Sequence, residues 1–180
     1  MRSKIRKHLV TTFQRAIEAQ QPQFAPSKHS DGSFKIWEWC IAPNLHFFVA
    51  LQPFEKDDIF VLEIAWSEDD VFPWAYLGGE FRVDKPHWRE RLGRLWRPHG
   101  KSPVWDLAPE LTEARQARLD ALRKGEDTDY ASPPEVEIVL PRVAPLVDDS
   151  LQKFREYGLP VFEQVALHRS FGNALKPRNS

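Results

Sequence analysis

The chain has 180 residues with 25 basic and 26 acidic side chains, a net charge of −1, so no global field draws it onto DNA or an anionic membrane. Its single cysteine, Cys40, excludes an internal disulfide and every zinc site that needs two thiolates, and fits a reducing, cytoplasmic setting. A chain of this size buries about 70% of its unfolded surface as one domain, and no stretch reaches the ~18 apolar residues of a bilayer span.

In chain order, Ile5, Leu9, Phe13 and Ile17 recur at four-residue steps and predict an amphipathic helix over 3–20. Pro22, Pro26 and the run Ser30-Asp31-Gly32-Ser33 break it and predict a turn. Three β-rich runs follow, Phe34 to Ile41, Leu45 to Gln52 and Ile59 to Trp66, separated by short polar or proline-containing links. They read as an antiparallel meander. Alternation in the first run puts Lys35, Trp37, Trp39 and Ile41 on one face and Phe34, Ile36, Glu38 and Cys40 on the other. Both faces are substantially apolar, so the sheet is expected to be covered on both sides or to lie against the helices and a long loop.

From Ser67 to Pro109, prolines and glycines punctuate every run and predict long connections or short edge strands. Glu110 to Lys124 reads as an exposed, charged helix closed by Gly125. Val143, Leu146, Val147, Leu151 and Phe154 mark another helix ending at Tyr157-Gly158, with a short one from Pro160 to His168 after it. The expectation is therefore α+β: an antiparallel meander sheet packed with an N-terminal helix and C-terminal helices. Residues 1–180 form a single domain, with a helical insertion around 108–134 and a frayed tail over 172–180.

Three constellations carry candidate chemistry. Between Arg82 and Lys101, the basic residues Arg82, Lys85, Arg89, Arg91, Arg94, Arg97 and Lys101 alternate with His87, Trp88, Trp96 and His99. Guanidinium groups and indoles in alternation can neutralise phosphates and stack on bases. The competing reading sends Trp88, Leu92 and Leu95 into the core and pairs the arginines with the acidic helix from Glu110 onward. Glu38, His46 and Glu63, one on each predicted strand, could form an acid/base group or metal site if the register brought them to one face. Cys40, between Trp39 and Ile41 with no helix N-terminus beside it, reads as a buried, inert thiol. The run Trp66-Ser67-Glu68-Asp69-Asp70 lacks the ligand spacing of a calcium loop and reads as a solvated turn, and Leu77-Gly78-Gly79-Glu80 lacks the rest of a phosphate loop.

Phe48-Val49-Ala50-Leu51-Gln52, Ile59 through Ser67 with Phe72-Pro73, Arg91-Leu92-Gly93-Arg94-Leu95, Trp105-Asp106-Leu107 and Tyr157-Gly158-Leu159-Pro160 together resemble an uncharacterised bacterial domain-of-unknown-function family of small intracellular proteins. The resemblance implies a compact α+β domain with a curved antiparallel sheet and accessory proteins, some accompanying toxin or defence systems. It implies no catalytic residues, and the helix from Glu110 to Lys124 is an insertion relative to its pattern.

The leading functional expectation is a non-enzymatic protein-binding accessory protein, an inhibitor or immunity-type partner, with no cofactor and no metal. Trp74, Trp88, Trp96 and Trp105 are its candidate anchors, whereas Arg89, Arg91 and Arg94 are the candidate charges of a nucleic-acid-binding alternative. The alternatives are a nucleic-acid or polyanion binder through 82–101, and a hydrolase or metal enzyme using Glu38, His46 and Glu63.

Overall fold

The computed structural model describes residues 1–54, 57–75, 78, 81–96, 104–126 and 132–169. Helix α1 spans Ser3–Gln20 and buries Ile5, Leu9, Phe13 and Ile17, the four-residue stripe, completely. Burying each such side chain contributes roughly 1.5–3 kcal/mol. A two-residue strand β1, Ala25–Pro26, leads through a turn into β2, Lys35–Ala42, β3, Leu45–Pro53, and β4, Ile59–Ser67. The turn forms because Asp31 Oδ1 accepts from the backbone N–H groups of Ser33 and Phe34, both at 2.7 Å, the local bonding that makes Asp a turn residue.

The punctuated stretch after β4 contains two further short strands and a helix turn: β5, His87–Arg91, α2, Leu92–Trp96, and β6, Trp105–Asp106. Strands β1 to β5 lie in chain order in one antiparallel sheet, and β6 pairs β4 at Ile59 and Phe60, beyond the stretch that β5 occupies. Helix α3, Thr112–Arg123, ends where the charged pattern ends. Gly125, at φ 76°, lets Glu126 N–H reach Ala121 O and its own N–H reach Leu122 O, closing the helix with a left-handed residue. Helices α4, Val136–Val139, α5, Val143–Lys153, and α6, Leu159–His168, complete the described chain. The sequence-predicted tail 172–180 and most of the polar linker after Glu126 lie outside the described residues. No described helix is long and apolar enough to cross a membrane.

The register fixes which residues share a face. Trp37, Val49 and Ile64 align across the sheet, as do Trp39, Phe47, Trp66 and Trp88. This inner face packs under α1, α5 and α6, with Phe47 stacked on Phe162 at 4.4 Å and Phe13 against Trp37 at 4.9 Å. The outer face carries a second, smaller apolar cluster of Phe34, Ile36, Phe48, Ala50, Ala65 and Phe72, roofed by the loops 27–34 and 68–75. Sequence patterning anticipates apolar residues on both faces, and the outer cover consists of loops rather than helices.

Between α5 and α6 the helix widens into a single π turn over Phe154–Gly158, where Leu159 N–H bonds Phe154 O. Pro160 has no N–H to give to the preceding turn, and the wider turn accommodates it. Gly158 sits beneath the fully buried Phe154 ring, so a Cβ there would stand 2.5 Å from Phe154 Cδ2 and 3.3 Å from Leu92 Cδ1. Replacing Gly158 by Ala therefore forces a packed ring to move, at a net cost of about 1–3 kcal/mol that outweighs alanine's better helix propensity. Urea denaturation of Gly158→Ala is expected to show a lower midpoint with an unchanged slope; a midpoint at or above the wild type would show that the ring is free to shift.

Candidate functional site

The Arg/Trp segment divides between core and surface. Trp88 is buried against Phe81, and Trp105 is buried against Phe60 with its Nε1–H donating to Asp149 Oδ2 at 2.7 Å. Trp96 is half-buried between Trp105 and Tyr157, and of the four candidate anchors Trp74 alone is exposed, at 42%. Arg89 is buried too. Its Nε donates to Glu63 Oε2 at 2.5 Å and its Nη1 to Trp74 O at 2.8 Å, while Phe34, Phe72 and Trp74 present ring faces to the guanidinium at 5.2, 5.0 and 5.7 Å. Burial removes Trp88, Arg89 and Trp105 from any stacking or phosphate-binding surface.

Arg91 is one-third exposed with Nε 3.9 Å from Glu63 Oε1, and the more exposed Arg94 faces Glu90 Oε2 at 3.6 Å. Arg89, Arg91 and Arg94 thus pair with carboxylates of β4 and β5, while Glu110, at the start of the acidic segment, binds Arg142. Strand β5 explains the difference, because its register places Arg91 opposite Glu63. Arg97, His99 and Lys101 lie outside the described residues, as do Leu77, Gly79 and Glu80.

Glu38, His46 and Glu63 do share the outer face. Glu38 and Ala65 both lie opposite Phe48, His46 lies opposite Ser67 and Cys40, and Glu63 lies opposite Ala50. They nevertheless form two clusters, not one. Glu63, fully buried, is committed to Arg89, whereas His46 Nδ1 meets Glu38 Oε1 at 2.7 Å, with the Phe48 ring between the two groups.

Around the Glu38 end the fold assembles residues that the sequence does not single out. The loop 27–34 is held on β2 by Ser27 N–H to Ile36 O at 2.8 Å and by Ser30 Oγ, which accepts from Ile36 N–H at 2.9 Å. Ser27 Oγ donates to Glu38 Oε2 at 2.8 Å, and His29 sets its ring edge against Phe48. On the other side, Ser67 Oγ accepts Asp69 N–H at 3.1 Å and turns the chain so that Asp70 comes 3.4 Å from His29 Nε2. The Lys28 ammonium also binds Asp70, and this ion pair holds the Asp70 carboxyl below the ordinary carboxylate range. One ligand atom each of His29, Glu38 and Asp70 lies within 4.8 Å of the others. Asp70 belongs to the run expected to be a solvated turn. It is one, but it is aimed at a histidine.

Cys40 is exposed, contrary to the expectation of a buried thiol. The short strand β1 covers β2 only at Trp37 and Glu38, and β2 bulges after Cys40, so nothing described seals that end. Partial desolvation, helped by Glu38 and then Asp70, pushes the thiol up from its ordinary value. It is accessible without being activated.

Two measurements test this geometry. Replacing Arg89 by Met leaves the buried Glu63 charge with only the more distant Arg91, at 3.9 Å, and is expected to cost about 3–5 kcal/mol in chemical denaturation; a cost below 1 kcal/mol would mean that Arg91 or solvent takes over the neutralisation of Glu63. Alkylation of Cys40 in the folded chain should rise with pH to a midpoint above that of the unfolded chain. Glu38→Gln should bring the midpoint only partway back, because desolvation is the larger cause, and a full return would reverse that order.

No protein-family model matches this chain, and neither a curated protein nor a solved structure matches it.

Proposed function

We propose that the chain is a non-enzymatic protein-binding accessory protein of the cytoplasm, an inhibitor or immunity-type partner, that docks through the loop 68–75 on the outer face of the sheet. One observation carries this reading: Trp74 is exposed and at the same time held. Its ring packs edge-on against Phe34 at 5.4 Å and Phe72 at 4.8 Å, over the Arg89 guanidinium, and its carbonyl accepts from Arg89. An aromatic fixed before binding loses little freedom when it enters a partner's pocket, which is what makes tryptophan an effective anchor. Val71, 54% exposed, extends the apolar contact, and Asp69 and Asp70 place acidic groups beside it. The matching partner surface is an apolar pocket rimmed by basic groups.

The accessory role that the family resemblance implies is consistent with this surface, as is the lone unpaired Cys40 with a reducing compartment. The nucleic-acid alternative draws less support, since Trp88 and Arg89 are buried and Arg94 faces Glu90.

The test is retention of host proteins and nucleic acid on the immobilised full chain at low and high salt, wild type beside Trp74→Ala. A single protein kept at high salt and reduced at least roughly 30-fold by Trp74→Ala, a loss of hot-spot size, is the expected result. Retention indifferent to Trp74→Ala, or nucleic acid that is released by salt as the only captured species, would overturn it.

A further inference from the structure

From the His29, Glu38 and Asp70 cluster we infer that this chain binds a divalent cation of the zinc type, held by His29 Nε2 and one oxygen each of Glu38 and Asp70. The inference does not rest on the docking reading, because it is argued from ligand chemistry and not from exposed apolar surface, although the two surfaces share Asp70.

Spacing is the first support. Donor atoms on a tetrahedral zinc, at roughly 2.0–2.2 Å from the metal, stand about 3.3–3.6 Å apart. His29 Nε2 and Asp70 Oδ1 are 3.4 Å apart, already one edge of that tetrahedron. The full set of three donors lies within 4.8 Å, so the Glu38 carboxylate needs only a small inward shift to complete the face. Solvent would take the fourth position, as it does in zinc sites with three protein ligands.

The surroundings are the second support. Glu38 is braced by the His46 ring on Oε1 and the Ser27 hydroxyl on Oε2, the outer-shell bonding that orients a ligating carboxylate. His46 is itself nearly buried, with a side-chain exposure of 7%, and its other nitrogen lies 3.3 Å from Pro43 O, so the brace is part of the sheet and not a mobile surface group. His29 is seated by its own backbone, whose N–H meets Ser27 Oγ at 3.3 Å, and by its edge contact with Phe48. Each ligand comes from a different segment: the loop before β2, β2 itself, and the loop after β4.

Charge is the third. Glu38 and Asp70 contribute two negative charges, and the Lys28 ammonium on its exposed stem faces Asp70 directly. A flexible lysine is a replaceable counterion, and a divalent ion would take over its neutralising role at Asp70. One imidazole with two carboxylates favours zinc-type cations over magnesium or calcium, which prefer all-oxygen sites.

The experiment is calorimetric titration of the untagged, metal-stripped full chain with Zn²⁺ and, separately, Mg²⁺. One Zn²⁺ per chain is expected, with no matching Mg²⁺ signal. His29→Gln and Asp70→Asn should each weaken zinc binding at least tenfold with the far-ultraviolet circular dichroism unchanged. Lys28→Gln should tighten it, because a competitor for Asp70 is gone. Cobalt(II) should give a visible absorption band of tetrahedral intensity that disappears in His29→Gln. Lack of stoichiometric zinc uptake, a preference for Mg²⁺, or binding that survives both ligand substitutions would overturn the proposal.

Discussion

Everything on the outer face is arranged around the buried ion pair of Glu63 and Arg89. A carboxylate with no exposed surface is tolerated only with a cation in contact, and the cation reaches it only if β5 pairs β4 in the one register that sets Arg89 beside Ala65 and Arg91 beside Glu63. A second donor of the guanidinium, on Nη1, goes to Trp74 O, and its faces are taken by Phe34, Phe72 and Trp74. Arg89 thereby joins four segments: β4, β5, the turn before β2 and the loop after β4. A hydrophobic residue at this position could fill the space, but it could not dictate where the Trp74 carbonyl goes. Directional bonding is what the ion pair adds to an otherwise apolar cluster.

The two faces of the sheet solve the burial problem differently. On the inner face, side chains from β2, β3 and β4 meet helices with matching apolar stripes, and packing alone suffices. On the outer face, short loops provide the cover, and loops carry backbone groups that need partners of their own. Ser27, Ser30, Asp31 and Ser67 supply them by bonding nearby N–H groups, which lets the chain turn tightly over Ile36 and Phe48. The polar groups at the Glu38 end are a consequence of the same economy. Loops held down by hydroxyl and carboxylate side chains bring His29 and Asp70 to an end of the sheet that already has the Glu38 carboxylate and the His46 imidazole.

Periodicity makes the fold class legible. The stripe of Ile5, Leu9, Phe13 and Ile17 and the alternation along β2 to β4 each report a face, because helix and strand geometry repeat at fixed intervals. Strand β5 is harder to see. Its residues His87-Trp88-Arg89-Glu90-Arg91 are mostly charged, and in the paired strand Glu63 neutralises Arg89 and Glu90 faces Arg94. The candidate site divides along the same line. Strand alternation can suggest Glu38 and His46 as partners, and a cross-strand register confirms the contact. His29 and Asp70 stand 41 residues apart in two turns, and no local pattern connects them. Their meeting is set by where the Arg89 cluster folds the second loop, which is a tertiary effect.

The anchor and the cation site occupy opposite ends of the loop 68–75, and their dependence on each other is limited by what holds each end. Trp74 is fixed by Arg89 and by rings that do not touch the Glu38 group, so its position does not require a metal. Asp70 has a weaker tether: an exposed lysine, a half-buried histidine and the Ser67 turn. A cation there would remove freedom mainly from residues 68–71, the part of the loop that carries the acidic rim and Val71. Its effect on a partner would therefore come through the charge and order of the rim, leaving the tryptophan anchor in place. A divalent ion would also neutralise the acidic groups that face a basic partner, so cation and partner would oppose each other at Asp70 while remaining compatible at Trp74.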